Sequence, residues 1–178
     1  VVPALAEVVR HGLTPQARLH ALYTLDGLKR VPPDLIQAAL DDAHPGVRRH
    51  ALQLADAHLD RQPTLLDKVL SLTGDPDPQV QIQLAFTLGE TRDARRLTAL
   101  ATLANRFGTD PWMQAAIVSS VPDAAEVLLR ELLQPPPASA AGRRLIRPLV
   151  GVIGARQDGA EIARLLRVPP LAGAPAPA

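Results

Sequence analysis

Four proline-led segments of one pattern recur along the chain, and they constrain its fold more than any other feature. They are Pro15-Gln-Ala-Arg-Leu-His-Ala-Leu-Tyr-Thr-Leu25, Pro45-Gly-Val-Arg-Arg-His-Ala-Leu-Gln-Leu-Ala55, Pro78-Gln-Val-Gln-Ile-Gln-Leu-Ala-Phe-Thr-Leu88 and Pro111-Trp-Met-Gln-Ala-Ala-Ile-Val-Ser-Ser-Val121. Their prolines stand 30, 33 and 33 residues apart. A weaker fifth copy covers Arg143 to Gly154, where Val152-Ile-Gly-Ala-Arg-Gln-Asp158 echoes Thr87-Leu-Gly-Glu-Thr-Arg-Asp93 two periods earlier. Self-similarity at such a period marks a stack of small helical units, none of which buries its apolar face alone.

Each copy reads as a helix start. Proline suits the first helical position, where its missing N–H removes no bond. Thr14, Asp77 and Asp110 precede it as N-caps; His44 is a weaker one. In the second copy Val47, Ala51, Leu54 and Ala55 follow at i, i+4, i+7 and i+8. Partner helices are expected over Pro33 to Asp41, Thr64 to Thr73, Ala94 to Phe107 and Asp123 to Leu133, with a last one over Ala160 to Arg167. Gly74 and Gly108 read as helix stops. Asp123 with Glu126, and Asp158 with Glu161, have capping-box spacing. Gln134 to Gly142 reads as a Pro/Ala-rich loop, and 168–178 as a Pro/Ala-rich linker or tail.

The composition agrees with an all-helical stack. Hydrophobic residues make up 47% but aromatics only 2%, so the apolar content is Leu, Ala and Val, which favours close-packed helices over a β-sandwich. The formal charge is +1, with signs interspersed, and nothing in that balance points to nucleic acid. There is no cysteine, which excludes disulfides, thiolate metal sites and covalent haem attachment within this segment. No apolar run reaches the roughly 18 residues a membrane span requires.

The Asp-Pro-x-Val-Arg-x-x-Ala-like start of these helices, clearest in Pro45-Gly-Val47-Arg48-Arg-His-Ala51-Leu52 and Asp77-Pro78-Gln-Val80, resembles HEAT repeats. The resemblance implies an all-α, right-handed α-α superhelix, a HEAT/armadillo-like solenoid of about five helical hairpins over 1–167. It also implies that the Arg and Asp tie neighbouring turns together. Arg18 and Arg48 keep the Arg position, whereas Gln81 and Gln114 depart from it, so the ladder is expected to weaken after the second copy. Longer strings, among them Ala17-Arg-Leu-His-Ala-Leu-Tyr-Thr-Leu-Asp-Gly-Leu28 and Gln83-Leu-Ala-Phe-Thr-Leu-Gly-Glu90, resemble the HEAT region of bacterial putative membrane-bound dehydrogenases, also described as PVC-type haem-binding proteins. That resemblance implies a spacer in a periplasmic or cell-envelope redox protein whose parent binds haem c elsewhere. With the Val1 start and the linker-like tail, it leads to the expectation that the chain is a piece of a larger protein.

No residue set carries catalysis, a metal or a cofactor. His20 and His50 hold equivalent positions in consecutive copies, but the next equivalents are Gln83 and Ala116, and zinc takes three or four ligands. Asp75 and Asp77 lack the remaining ligands of a calcium loop and suit a turn with an N-cap. Ser119-Ser120 has no base and acid at a recognisable spacing. The arginine pairs Arg48-Arg49, Arg95-Arg96 and Arg143-Arg144 suit turn-locking contacts and solvated faces better than anion sites. Trp112, the single tryptophan, is either a binding anchor or, more commonly for such a residue, packed on the preceding loop. The expectation is a non-catalytic scaffold for a protein partner or neighbouring domains, with no nucleic acid. The alternatives are the dehydrogenase spacer and, more weakly, a nucleic-acid- or phosphate-binding array. The candidate partner surface lies on the second helices, at His20, His50, Gln83 and Trp112.

Overall fold

A computed structural model describes residues 1–134 and 138–166. Among the described residues there is no strand, and the fold is an all-α helical solenoid. The chain divides into two compact units, Val1–Asp93 and Ala94–Ala178. The expected tail at 168–178, the end of the last helix at Arg167 and residues 135–137 of the expected loop lie outside the described residues.

The first unit holds α1 (Val2–His11), α2 (Pro15–Gly27), α3 (Pro33–Leu40), α4 (Pro45–Ala55), α5 (Pro63–Ser71) and α6 (Pro78–Leu88). A 3-10 segment, Asp56–Arg61, prolongs α4, and another, Leu72–Gly74, prolongs α5. The odd-numbered helices pack on one another in one layer, and α2, α4 and α6 in a second. Leu22, Leu25, Leu35, Ile36, Leu40, Leu52 and Leu65 lie between them with no exposed surface. Each such side chain contributes about 1.5–3 kcal/mol by leaving water. The sequence signals correctly place the starts of α2, α4 and α6. The side chains of Thr14, His44 and Asp77 accept hydrogen bonds from the first free backbone N–H groups. The missed element is α1, which has no capped Pro repeat of its own.

Two arginines join consecutive turns. Arg18 donates to the Asp42 carboxylate through Nε (2.5 Å) and Nη2 (2.7 Å), and to the Gly12 carbonyl (2.8 Å). One repeat on, Arg48 donates to Asp75 (2.6 and 2.9 Å) and to the carbonyls of Asp42 and Ala43. Burial alone would raise both aspartates, but the guanidinium bonds, a backbone N–H and the adjacent positive charge hold them below the ordinary carboxylate value. The ladder stops where expected. Gln81 donates only to carbonyls of its own turn, at Leu72, Thr73 and Asp75, and its buried Oε1 has no partner.

The second unit holds α7 (Arg95–Phe107), α8 (Pro111–Ser119), α9 (Ala125–Leu133), α10 (Ile146–Arg156) and α11 (Gly159–Leu166). A 3-10 segment, Gly142–Leu145, leads into α10. Helices α7, α9 and α11 pack in sequence, and α8 packs on α10. Asp110 caps α8 as expected, accepting from Trp112 N and Met113 N. Gln114 donates to the Gly108 carbonyl of its own turn. Asp158 accepts from the N–H groups of Ala160 and Glu161. Asp123 corrects the capping reading. The N-cap of α9 is Ala124, with no side-chain cap bond, and Asp123 accepts from Arg96 at 3.1 Å. Arg96 is buried and also holds the Ser120 carbonyl, so the residue spaced as a cap is engaged in an ion pair across the turn.

Chain reversal after α2 places a non-glycine residue in the left-handed region. Lys29 has φ 56°, and the bonds Lys29 N to Asp26 O and Arg30 N to Leu25 O form a Schellman closure. Its side chain is exposed, so only the backbone penalty applies. Lys29→Gly is therefore expected to raise stability by about 1 kcal/mol, seen as an upward shift of the urea midpoint with unchanged m value.

Candidate interaction face

In the first unit the second-helix layer carries a connected row of polar side chains. Arg49 Nη2 lies 3.2 Å from His50 Nε2. A guanidinium only donates, so Nε2 accepts and the imidazole proton resides on Nδ1. That Nδ1 faces the Tyr23 hydroxyl at 2.7 Å and Gln53 Oε1 at 3.0 Å, and Tyr23 donates to Gln53 Oε1 at 3.1 Å. Burial, with Asp26 nearby, raises the Tyr23 phenol, which keeps its donor proton. The row continues as Gln53 Nε2 donates to Gln83 Oε1 (3.1 Å), and Gln83 Nε2 to Thr87 Oγ1 (3.3 Å). Thr87 is buried, and its hydroxyl lies near the Asp56 carboxyl, whose charged form it favours. From the guanidinium donor to the Thr87 hydroxyl, every bond points one way. The row thus orders side chains on three helices, and runs from an exposed face into the interior.

Two of the expected residues, His50 and Gln83, are joined in this row through Gln53. His20 shares the layer and is exposed, but Tyr23, one turn further along α2, is what reaches His50, edge-on with ring centroids 5.4 Å apart. The equivalent of Tyr23 in α6 is Phe86, 43% exposed. Tyr23, Gln53 and Phe86 share one position, three residues after the histidine position, and nothing local in the sequence marks it as the one that reaches the next repeat. The usable signal is separation: complementary side chains 27 residues apart meet at Tyr23–His50, Gln37–Thr64, Arg48–Asp75 and Arg96–Asp123.

Trp112 belongs to the second unit. It is 76% exposed, so the expectation that it packs on the preceding loop is wrong. With proline at the first helical position, the next residue points its ring outward, while Met113 and Ile117 take the buried face. The arginine pairs divide: Arg48 and Arg96 lock turns, Arg49 meets His50, and Arg143 donates to the Ala138 carbonyl. The Arg144 side chain is exposed.

Asp56 lies near the inner end of the polar row. Burial pushes its carboxyl up to about 6, opposed by the nearby Thr87 hydroxyl and reinforced by Glu90; its Oδ1 is buried without a partner. A raised carboxyl stabilises the fold when protonated. That contribution is fully present below the unfolded value of 3.8 and is lost as pH rises through about 6. Asp56→Asn is therefore expected to gain about 1–2 kcal/mol over the natural chain at pH 7.5, allowing for partial solvent access, and almost nothing at pH 3.5. Paired urea titrations at the two pH values check this; an equal gain at both would refute it.

Among the described residues no group of three or more His, Cys, Asp or Glu is placed to hold a metal ion. A notch of about 190 Å³ beside Arg49, lined by Pro45, Gly46, Asp77 and Gln79, is below the size of ordinary small-molecule sites. Among the described residues no helix is long and apolar enough to cross a membrane. No curated protein and no solved structure gives a significant match to the chain. The family model for HEAT repeats matches residues 32–122, just over half of the sequence, and the chain belongs to the HEAT-repeat family.

Proposed function

We propose that the chain is a non-catalytic scaffold that holds a protein partner, or a neighbouring domain, on its second helices. Helical-repeat arrays commonly serve this way, because stacked hairpins present an extended surface from rigid elements. The observation that carries the reading is the row Arg49–His50–Tyr23–Gln53–Gln83. It is aligned across three helices, accessible along its length, and ordered by its own bonds. Side chains already fixed in one geometry lose less entropy on binding than free ones. Mixed charge over the whole sequence weighs against a nucleic-acid array.

Site-specific photo-crosslinking tests it. A benzophenone amino acid at His20 or Gln53, on the second helices, is expected to give discrete crosslinked products in cells. The same group at Ala38, exposed on α3, is expected to give none. Equal crosslinking from both layers would overturn the assignment of the face. The dehydrogenase-spacer reading is supported by the string resemblance alone. A Cys-x-x-Cys-His motif in the coding sequence that follows would support it, and a stop codon directly after Ala178 would end it.

A further inference from the structure

The second-helix layer of the Ala94–Ala178 unit differs in kind from that of the first. Residues 111–122 and 134–157 contain no Asp or Glu, but include Arg143, Arg144, Arg147 and Arg156. Two of these are engaged: Arg143 by the Ala138 carbonyl, and Arg156 by the Pro122 carbonyl and Glu161. Arg144 and Arg147 are exposed, and among the described residues their guanidinium groups make no hydrogen bond or ion pair. The acid nearest along α8, Asp110, already accepts from two backbone N–H groups.

Burial sets the register between α8 and α10. Met113, Ile117 and Val121 are buried in and after α8, and Leu145, Leu149 and Ile153 in the α10 segment, with the same spacing of four. Trp112 and Arg144 each stand one residue before the first of these, so they occupy the same position on elements that pack together. Packed helices lie about 8–10 Å apart. Arg147 follows one turn after Arg144, and Val150, 45% exposed, one turn after that. This register puts an exposed indole on one element, and two exposed guanidinium groups and an apolar side chain on the neighbouring one. Trp and Arg are the residues most enriched where binding energy concentrates.

We propose that Trp112, Arg144 and Arg147 form a docking site for an acidic, partly apolar peptide segment of a partner protein. The carboxylates would meet the two guanidinium groups, and an apolar side chain would cover the indole. This rests on the scaffold reading for the partner being a protein. Two exposed arginines and a net charge of +1 fit a short acidic segment better than a polyanion, whose binding ordinarily engages about 6–10 phosphates.

Trp112, as the sole tryptophan, reports directly on its own site. The probe is a fluorescein-labelled peptide repeating Glu, Leu and Gly, with a Lys, Leu and Gly peptide and oligo-dT as controls. The acidic peptide is expected to bind saturably below ~1 mM, shift Trp112 emission, and weaken as salt rises. Arg144→Glu with Arg147→Glu is expected to weaken it at least about tenfold while the melting curve stays in place, since neither side chain holds the fold. No saturable binding, an equal response to the Lys peptide, or unchanged affinity in the double variant would each overturn the proposal. Tighter binding of oligo-dT would replace it with a nucleic-acid site. A lack of crosslinks from His20 and Gln53, with the peptide result intact, would instead remove only the first-unit face.

Discussion

Replacing Arg48 by Met is expected to lower the unfolding free energy by about 3–5 kcal/mol, a large share of the 5–15 kcal/mol that ordinary domains possess. The size follows from what is left behind. The Asp75 side chain is 3% exposed and that of Arg48 12%, so removing the guanidinium strands a buried carboxylate whose remaining bond comes from Asp77 N. The Asp42 and Ala43 carbonyls lose their donor as well. Arg48→Gln is the milder probe, because Gln81 shows that an amide at this position satisfies its own turn's carbonyls without reaching the next repeat. The double variant Arg48→Met with Asp75→Asn is expected to cost clearly less than the sum of the singles, because no charge is then stranded.

The pH dependence gives a second and opposite readout. In the natural chain the Asp75 carboxyl is held below 3.8, so its contribution is present above that value and is lost as pH falls below it. Without Arg48, burial is left as the largest influence and raises the carboxyl. Protonation then favours the folded state, and stability attributable to this residue rises as pH falls toward 4. Urea midpoints of the natural chain and Arg48→Met from pH 7 to 4 are therefore expected to converge. Parallel curves would show that the lost stability came from Arg48 packing and not from the charge pair.

Much of this fold is written locally, and the places where sequence reading fails share one cause. Helices α2, α4, α6 and α8 could be read because their signals sit within a few residues: a cap side chain, then Pro, then buried positions one turn apart. Even the end of the arginine ladder could be read, since Gln81 lacks the reach and charge of Arg48. What could not be read depends on partners one repeat away. Asp123 has the spacing of a cap, but Arg96 claims it across 27 residues. Trp112 has the character of a core residue, but the helix turns it outward. His50 was legible as a surface candidate, whereas Tyr23 and Gln53, which meet its Nδ1, follow only from knowing that α2 lies against α4. Local chemistry sets each element, and the pairing between repeats decides what its side chains do.

Gly108→Ala and Gly74→Ala are expected to behave differently, although both glycines read alike as helix stops. Neither has a positive φ: Gly108 sits at −64°, so backbone freedom is not what either position requires. The distinction is space. A Cβ on Gly108 would come 2.4 Å from the Ala141 carbonyl oxygen and 2.5 Å from that of Ala104, whereas one on Gly74 meets nothing within 4 Å. The Ala141 oxygen cannot swing aside as a side chain would. It belongs to a segment fixed on the end of α7, where Asn105 Oδ1 accepts from Ser139 N and Ser139 Oγ donates to the Asn105 carbonyl. Relief therefore requires moving backbone, and Gly108→Ala is expected to cost about 3 kcal/mol, the upper end of overpacking penalties. Gly74→Ala should be neutral or stabilising by about 0.4–1 kcal/mol, because it restricts the unfolded chain without straining the folded one. If the first cost comes from this clash, Asn105→Ala, which releases the Ser139 turn, should lessen it in the double variant. Strict additivity of the two changes would place the strain elsewhere.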